Sequence, residues 1–333
     1  MKKLLFLAVF TALALASCVN DAPLSVSKGD PKQSPLTLLT EENPSWKHEN
    51  LRLYPVVASP EVVEANTRLQ NLKTLAEGMQ TPGFRVMEQK QFGRGGDAWY
   101  HGLTVQNKTQ DTVLLLSGDV VKGGNQDRVL AHHEVILPMT VRNIEVFCVE
   151  AGRSTYYDPS APAVEKEAAA FKGYYNVASP QVRRAVQNAG NQQEVWDAVA
   201  KVTKANNAES STKAYTALDN ESAEKTRRDA YLRQLTGSFA ARTDIVGMVA
   251  VCGDQILGVD LFGNPELFRR QYSALLHGYV AETVAASPST QVGEDQVQNA
   301  FEKVSRLAAP HAKSNEKAGK FAWGGSWVHL FSK

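Results

Sequence analysis

The sequence has few cysteines and almost no excess of charge, and both shortages exclude classes of protein. Three cysteines in 333 residues are too few for the disulfide framework that stabilises many small exported domains. Lysine and arginine (36 residues) nearly balance aspartate and glutamate (35 residues), which gives a formal net charge of +1. A nearly neutral chain lacks the basic surface that binds nucleic acid, so we expect no nucleic-acid partner.

Long apolar runs are absent except near the N-terminus, where the chain reads "MKKLLFLAVFTALALASC". Lys2 and Lys3 precede an apolar stretch at residues 4–16 that is too short to span a bilayer, a pattern typical of a secretory signal. The "LASC" at residues 15–18 is the pattern cleaved by the bacterial lipoprotein signal peptidase. We therefore expect removal of residues 1–17 and lipidation of Cys18, with an ordinary signal peptide as the alternative. Loss of the two lysines would change the formal net charge from +1 to −1.

A lipidated Cys18 predicts the organisation and location of the protein. Its acyl chains would hold the protein on a membrane without a transmembrane helix. We expect a lipoprotein of the bacterial cell envelope, and Val19 is compatible with sorting to the outer membrane. Residues 18–48 are polar and rich in proline, which predicts a flexible tether, and residues 49–333 are predicted to form one domain.

The remaining cysteines, Cys148 and Cys252, each lie in an apolar segment with the pattern of a strand. We expect two buried thiols. A disulfide between them is the less favoured alternative, because pairing cannot be derived from sequence.

Hydrophobic periodicity predicts an α+β fold. The N-terminal half is rich in predicted antiparallel strands, at residues 51–57, 84–89, 99–107, 112–116, 129–138 and 140–153. We expect 99–107 and 112–116 to pair as a hairpin, and 66–79 to form a helix that begins at Asn66 and ends near Gly78. The second half is rich in predicted helices, at residues 179–190, 191–206, 221–235, 264–284 and about 294–308. A β-hairpin returns at 246–264, with its turn at Gly253-Asp254, and residues 320–333 are predicted to form two short strands or a closing hairpin.

Familiar enzyme and metal signatures are also missing. The chain has no G-x-S-x-G elbow and no P-loop, and the glycine-rich residues 92–99 lack the strand-then-helix setting of a phosphate cradle. In "HHE", His132 and Glu134 share one face of a predicted strand, and His133 lies on the other. Zinc needs three or four converging ligands, and cross-strand assembly with His101 is the remaining route to a site. We expect a surface or hairpin-pair role for these residues, with no metal and no cofactor.

The segment "SGDVVKGGNQDR" at residues 117–128 is the strongest candidate site. Its glycines permit positive φ angles and a close approach of the backbone to a ligand. Arg128 can hold a carboxylate or phosphate, and Gln126 on the same side can bind an amide, a hydroxyl or a base edge. Glu150 and Arg153 end a strand two elements later and could reach the same edge of a sheet. The alternative is an internal network of salt bridges that fixes a long loop.

Five segments in order carry a resemblance to a known family. They read "LLLSGDVVKGGNQDRVL", "FCVEAGRSTYY", "QEVWDAV", "ESSTKAY" and "VAVCGDQILGVDLFGNPELF", and over approximately residues 50–331 the chain resembles the ARG-and-rhodanese-phosphatase-superfamily-associated domain. The family pattern maps onto Gly118, Gly123, Gln126, Arg128, Cys148, Glu150, Gly152, Arg153 and Tyr156. The chain departs from it at Asp119, Val120, Asn125, Asp127 and Ser154.

The resemblance implies a class of ligand more than an activity. The family has no assigned function, and its association with ADP-ribosyl glycohydrolase and phosphatase-type proteins implies a ligand that bears phosphate or ribose. We expect a small anionic ligand, nucleotide-, ADP-ribose- or sugar-phosphate-like. The residues expected to bind it are Gly123, Gln126, Asp127, Arg128, Arg153 and Tyr156.

Two alternatives remain open. The first is a hydrolase that acts on such a ligand, with Glu150 or Asp119 as the general base. Val120 replaces the second acidic residue of the family pattern, which weakens a catalytic interpretation. The second is a non-catalytic structural or interaction protein of the envelope, whose protein partner the sequence does not specify.

Overall fold

The computed structural model describes residues 35–88, 102–153, 171–188, 191–284 and 292–333, and the strands in these ranges form three sheets. The strands are β1 (Leu36–Leu38), β2 (Lys47–His48), β3 (Leu51–Ala58), β4 (Lys73–Thr74), β5 (Phe84–Glu88), β6 (Gly102–Asn107), β7 (Val113–Leu115), β8 (Asp119–Gly123), β9 (Arg128–Leu130), β10 (Glu134–Ile136), β11 (Thr140–Cys148), β12 (Phe171–Val177), β13 (Ile245–Cys252), β14 (Gln255–Phe262), β15 (Ala318–Trp323) and β16 (Ser326–Ser332). The helices are α1 (Pro60–Ala65), α2 (Leu75–Gln80), α3 (Pro180–Asn188), α4 (Gln192–Ala205), α5 (Ala223–Leu235), α6 (Pro265–Val280) and α7 (Glu294–Ser305). Short 3-10 helices span Pro44–Trp46, Thr67–Asn71, Tyr215–Asp219 and Arg306–Ala308.

Sheet 1 combines strands from both ends of the described chain in the antiparallel order β1-β3-β13-β14-β16-β15, with β2 added beside β3. Every residue of β13 is buried, because helices cover both faces of the sheet. Helices α5 and α6 supply apolar side chains on one face, and α7 supplies Val297, Phe301 and Val304 on the other.

Sheet 2 has the order β12-β8-β9-β11-β6-β5, and sheet 3 is the small set β10-β7-β4. Helices α3 and α4 pack valines against Val120, Val129 and Phe147 of sheet 2. A separate core lies between sheets 2 and 3 and contains Val121 and Ile136. The candidate site lies on sheet 2, so α3 and α4 pack against the sheet that holds the site.

This architecture confirms the α+β class and both returning hairpins. β13 and β14 turn at Gly253, whose φ of 57° suits a two-residue hairpin turn, and β15 and β16 form the closing hairpin. The cap of α6 is also as predicted, because the Asn264 side chain accepts hydrogen bonds from the amides of Glu266 and Leu267. β12 was not predicted.

The single helix predicted at residues 66–79 is wrong. α1 ends at Ala65, a 3-10 helix follows Asn66, and a new helix begins after Thr74. Thr74 and Glu77 form a capping box, with Thr74 Oγ1 accepting from the Glu77 amide at 3.2 Å and Glu77 Oε2 accepting from the Thr74 amide at 2.7 Å. Gly78 lies inside α2, where a Cβ would come within 3.0 Å of Val113. The leucines that predicted one helix by their spacing are buried, but they belong to several short elements and not to one continuous helix.

The predicted hairpin between residues 99–107 and 112–116 is also wrong. β6 pairs with β5 and β11, whereas β7 pairs with β10 and β4 in another sheet. The buried Asn107 side chain redirects the chain, because its Nδ2 donates to the carbonyls of Asp111 at 2.8 Å and Leu137 at 3.0 Å. These side-chain bonds replace the main-chain turn of a hairpin.

The folded unit starts earlier than the sequence predicts. Residues assigned to the tether include β1, which pairs with β3, and Trp46, which is buried. The signal peptide, Cys18, residues 92–99 and His101 lie outside the described residues. Among the described helices, none combines the length and apolar character needed to cross a membrane.

Both predicted thiols are confirmed, since Cys148 and Cys252 are buried and free.

Candidate functional site

The segment at residues 117–128 forms β8, a tight turn and β9. Gly123 and Gly124 have φ angles of 111° and 58°. A Cβ on Gly123 would lie 2.9 Å from the Lys172 amide, and one on Gly124 would lie 2.7 Å from Phe171. The Asp127 side chain closes the turn, because its Oδ1 accepts from the Gly123 amide at 2.9 Å. The glycines are therefore required by the turn itself, whatever else it does.

Glu150 is the centre of a buried network that we call the loop cluster, formed by Glu88, Gln126, Asp127, Arg128, Glu150 and Arg153. Glu150 Oε2 accepts from the Asp127 amide at 3.1 Å and pairs with Arg153 at 2.6 Å. Arg153 also reaches Asp127 Oδ1 at 3.3 Å and the Gly124 carbonyl at 3.1 Å. Burial acts to raise the pKa of Glu150, but the hydrogen bonds from Arg153 and the Asp127 amide outweigh it and lower the pKa below its ordinary value. Glu150 is thus ionised at neutral pH.

Gln126 connects the turn to β11. Its Nε2 donates to the Glu150 carbonyl at 3.2 Å, and its Oε1 accepts from the Cys148 thiol at 2.6 Å. Gln192, at the start of α4, holds the backbone of Cys148 through two bonds of 2.8 Å. Burial raises the pKa of the Cys148 thiol, so Cys148 is a hydrogen-bond donor here and not a nucleophile.

Glu88 and Arg128 form the deepest part of the loop cluster. Arg128 Nη2 lies 3.6 Å from Glu88 Oε2, and Glu88 Oε1 accepts from the Asn125 amide at 2.9 Å. Arg128 is 4% exposed and Glu88 is 6% exposed, so neither faces solvent directly. The pair holds the turn in place through the bond between Glu88 and the Asn125 amide.

The structure brings five of the six predicted binding residues together here, namely Gly123, Gln126, Asp127, Arg128 and Arg153, beside the catalytic candidate Glu150. Tyr156 lies outside the described residues. Asp119 begins β8 and Gly123 ends it, about 13 Å apart at the usual rise of a strand. The two acidic candidates therefore do not share one site.

Asp119 has an unusual environment of its own. Its carboxylate accepts from the Leu116 amide at 2.7 Å and from the Tyr174 hydroxyl at 2.9 Å. Burial raises the pKa of Asp119 to about 7. It is fully buried, so this proton has no described route to a substrate.

Sequence reasoning missed the segment at residues 210–216, which closes the cluster on one side. Thr216 Oγ1 donates to Asp127 Oδ2 at 2.7 Å, and Ala214 forms an isolated β-bridge with Glu150. The Gly152 amide donates to the Thr212 carbonyl at 2.7 Å. The available signal was "ESSTKAY", which carried the resemblance without an assigned role.

Charge is distributed unevenly between the interior and the rim of the loop cluster. The interior holds the carboxylates of Glu88, Asp127 and Glu150 against two guanidinium groups. At the rim, Arg153 is 34% exposed, Lys172 lies against Gly123, Lys122 precedes Gly123, and Lys213 follows Thr212, whose carbonyl accepts from the Gly152 amide. Glu209 and Asp219 are exposed in the neighbouring segments, so among these described residues cations outnumber anions, and we call this set the cationic rim. Lys122 pairs with the exposed Asp219 at 3.8 Å and lies over the Tyr175 ring at 5.0 Å.

A second buried network, the histidine cluster, consists of His133, Arg183, Asp260, Tyr279 and His329. Arg183 Nη1 donates to both Asp260 oxygens at 2.9 and 3.0 Å, and the Tyr279 hydroxyl donates to the same carboxylate. His329 Nε2 lies 3.0 Å from Asp260, and His329 Nδ1 lies 2.8 Å from His133 Nε2. Since the carboxylate can only accept, neutral His329 donates from Nε2 and accepts at Nδ1 from His133.

The electrostatics of the histidine cluster follow from its burial. Burial lowers the pKa of both histidines, and for His133 the neighbouring His329 lowers it further. Burial acts to raise the pKa of Asp260, but Arg183 and His329 outweigh it and hold the pKa well below its usual range. The pair of Arg183 and Asp260 is therefore ionised, beside two neutral imidazoles.

The expected surface or hairpin-pair role of the "HHE" segment holds for His132, which is exposed and lies 3.1 Å from Glu145 of β11. It is wrong for His133, which bonds to His329 inside the histidine cluster. Among the residues described by the structure, no group of three or more histidine, cysteine, aspartate or glutamate side chains could hold a metal ion.

The start of α6 borders a concave surface that the sequence did not indicate. This α6 cleft has a volume of about 510 Å³ and an aromatic floor of Phe239, Phe268 and Tyr272. The arginines on its rim are already paired, Arg242 with Asp244 and Arg269 with Glu266, each at 2.6 Å. The cleft therefore offers apolar surface with few available charges.

Comparison with known proteins gives one match. The model of the ARG and Rhodanese-Phosphatase-superfamily-associated Protein domain matches residues 40–330. No curated protein and no solved structure matches the chain.

Proposed function

The chain belongs to the ARG and Rhodanese-Phosphatase-superfamily-associated Protein family, and we propose that it is a non-catalytic binding protein for a small anionic ligand. The ligand would be nucleotide-, ADP-ribose- or sugar-phosphate-like. We propose further that the protein is exported and held on a bacterial envelope membrane through a lipidated Cys18.

The cationic rim of the loop cluster is the observation that carries the binding proposal. Lys122 precedes Gly123 and Lys172 lies against it, in a glycine turn that Asp127 closes through the Gly123 amide. Lys213 follows Thr212, whose carbonyl accepts from the Gly152 amide beside Arg153. Lysine and arginine are the usual partners of phosphate groups, and a rigid site loses little entropy when a ligand binds. The rim thus combines the charge and the order that an anionic ligand requires.

The buried residues have supporting roles in this proposal. Arg153 is the guanidinium of the loop cluster that reaches the surface, so in this proposal it contacts the ligand while it stays paired with Glu150. Arg128 and Gln126 lie behind it and hold Glu88 and the Glu150 backbone, so they set the shape of the turn without touching the ligand. This assignment shifts the main anion contact from Arg128 to Arg153 and the lysines.

The hydrolase alternative ranks second on the same geometry. A general base needs a proton acceptor within reach of water or substrate. Glu150 already accepts from Arg153 and the Asp127 amide, and Asp119 is fully buried. The third alternative, an envelope protein without a small-molecule site, would leave the cationic rim without a role.

Calorimetric titration with ADP-ribose, nucleotides and sugar phosphates tests the binding proposal. We expect measurable binding that falls at least about tenfold in a Lys122→Ala, Lys213→Ala double variant, which is the loss of about 1.4 kcal/mol of binding free energy. Lys303→Ala is the matched control, because Lys303 is an exposed lysine on α7 beside sheet 1. Equal affinity in the double variant and the control, or no binding by the whole panel, would contradict the proposal.

The anchor needs a separate test. The intact mass of the mature chain should begin at Cys18 and include acyl chains, and Cys18→Ser should release the protein from the membrane fraction. An unlipidated mature chain would refute the anchor without affecting the binding proposal.

A further inference from the structure

The exposed large apolar side chains of the described residues are concentrated in one short segment. Leu137, Met139 and Val141 are 44%, 66% and 62% exposed, and all three lie where β10 turns into β11. Single exposed apolar residues are ordinary on protein surfaces, whereas a contiguous group marks a surface that contacts a partner or a membrane. We call residues 137–141 the apolar tip.

The apolar tip is a rigid turn. Asn107 Nδ2 donates to the Leu137 carbonyl at 3.0 Å, and the Thr140 hydroxyl donates to the same oxygen at 2.7 Å. Met139 has a φ of 55°, a backbone conformation that is uncommon for residues other than glycine. Two polar side chains thus hold the turn in a conformation that presents Met139 to the outside.

Cations lie close to the tip. The turn at Gly83 is beside it, since the Lys108 amide donates to the Gly83 carbonyl at 2.9 Å and Lys108 follows the Asn107 that binds Leu137. Arg85, Lys108 and Arg142 are exposed at this end of sheet 2. The neighbouring acids are Asp111 and Glu134, and Glu134 pairs with Arg142 at 3.9 Å.

We propose that the apolar tip inserts into the headgroup region of an anionic bilayer, the same membrane that holds the anchor on Cys18. Apolar residues flanked by cations bind such surfaces through buried area and attraction to anionic lipids. The inference rests on the proposed anchor, which keeps the domain beside a bilayer. The roughly 18 residues from Cys18 to β1 extend to at most about 60 Å, which limits how far the folded unit can lie from the anchor.

This contact sets the orientation of the candidate site. β11 begins beside the tip at Thr140 and ends at Cys148 in contact with the loop cluster. Nine residues of antiparallel strand span about 27 Å. With the tip in the headgroups, the loop cluster faces away from the membrane, where a water-soluble ligand can reach it.

A label on the tip tests the proposal in the lipidated, full mature protein. Met139→Cys provides an exposed thiol for an environment-sensitive nitrobenzoxadiazole label, whereas Cys148 and Cys252 are buried and Cys18 is acylated. The protein is placed in vesicles of phosphatidylethanolamine and phosphatidylglycerol at three to one. Asn299→Cys is the matched control, because Asn299 is exposed on α7.

We expect a blue shift of the emission and quenching by brominated lipids for the label at residue 139, and neither change for the label at residue 299. Lys108→Glu in the Met139→Cys background should reduce the quenching, whereas Lys303→Glu should leave it unchanged.

Three results would overturn the proposal. The first is water-like emission at residue 139 in vesicles. The second is a blue shift without vesicles that grows with protein concentration, since that result identifies a second copy of the chain as the occupant. The third is an unlipidated Cys18 by mass, which refutes the anchor and with it the insertion, but leaves the ligand titrations unaffected.

Discussion

The loop cluster and the histidine cluster are both buried networks of charged groups, yet they are assembled in different ways. In the loop cluster, carboxylates mostly bind backbone amides of nearby residues, and a cationic rim connects the network to solvent. In the histidine cluster, side chains bind side chains across sequence separations of 69, 77 and 196 residues. The first shapes a surface turn, whereas the second connects sheet 1 to α3 and to the residue before β10. A buried ion pair alone is therefore weak support for a binding site, and contact with an ordered surface distinguishes the two.

The largest expected difference between the two clusters is in stability. Asp260→Asn leaves the Arg183 guanidinium buried without its anion, which should reduce the free energy of unfolding by about 3–5 kcal/mol. Asp244→Asn, which removes an exposed partner of Arg242, should cost at most about 1 kcal/mol. Chemical denaturation of both variants measures this contrast, and equal losses would show that the histidine cluster is not a structural connection.

The same change in the loop cluster should cost less. Glu150→Gln keeps the shape of the side chain and its acceptor oxygen but removes the charge that pairs with Arg153, which is partly exposed. We expect a loss of about 1.5–3 kcal/mol in the free energy of unfolding, the usual contribution of a charged hydrogen bond. A loss in denaturation experiments that equals or exceeds that of Asp260→Asn would remove the distinction between the clusters.

Stability should also depend on pH with opposite signs in two regions. His133 and His329 have lowered pKa values in the folded protein, so below pH 6.5 the unfolded chain binds protons that the folded chain does not. The free energy of unfolding should therefore decrease as the pH falls from 6.5 to 5. His133→Gln should reduce this slope, and an unchanged slope in denaturation curves between pH 5 and 6.5 would contradict the expectation.

Asp119 should make the free energy of unfolding depend on pH in the opposite direction. Its pKa is raised to about 7, so the folded protein retains a proton that the unfolded chain loses near pH 4. This contribution to stability is complete below pH 4 and is lost as the pH rises through 7. Asp119→Asn should remove it, which denaturation curves between pH 4 and 8 can measure; an unchanged pH profile would show that Asp119 is ionised when folded.

Much of the fold was predictable because helix starts and tight turns depend mainly on residues that are adjacent in sequence. Asn264 and Pro265 begin α6, and Gly253-Asp254 turns β13 into β14, without help from the rest of the chain. The helix at 66–79 failed because buried leucines recur at helical spacing in several short elements. The hairpin after β6 failed because Asn107 binds carbonyls of a distant turn.

The sequence predicted the loop cluster in part and the histidine cluster not at all. The loop cluster was accessible from sequence, because its turn is a run of consecutive polar residues and Glu150 and Arg153 are three residues apart. The charge of the rim could not be predicted from the sequence, because Lys172 lies on β12 and Lys213 lies in the segment before Tyr215, far along the chain from the turn. The histidine cluster could not be predicted, because no pattern in the sequence indicates that His133 contacts a residue 196 positions away.

Hydrogen–deuterium exchange of the protein with and without ADP-ribose distinguishes the loop cluster from other binding surfaces, because it locates the ligand as well as detecting it. We expect slower exchange in peptides that contain Gly123-Gly124, Arg153 and Lys213, with no change around the histidine cluster. Protection confined to the α6 cleft, at Phe239 and Phe268, would contradict the assignment of the binding site to the loop cluster.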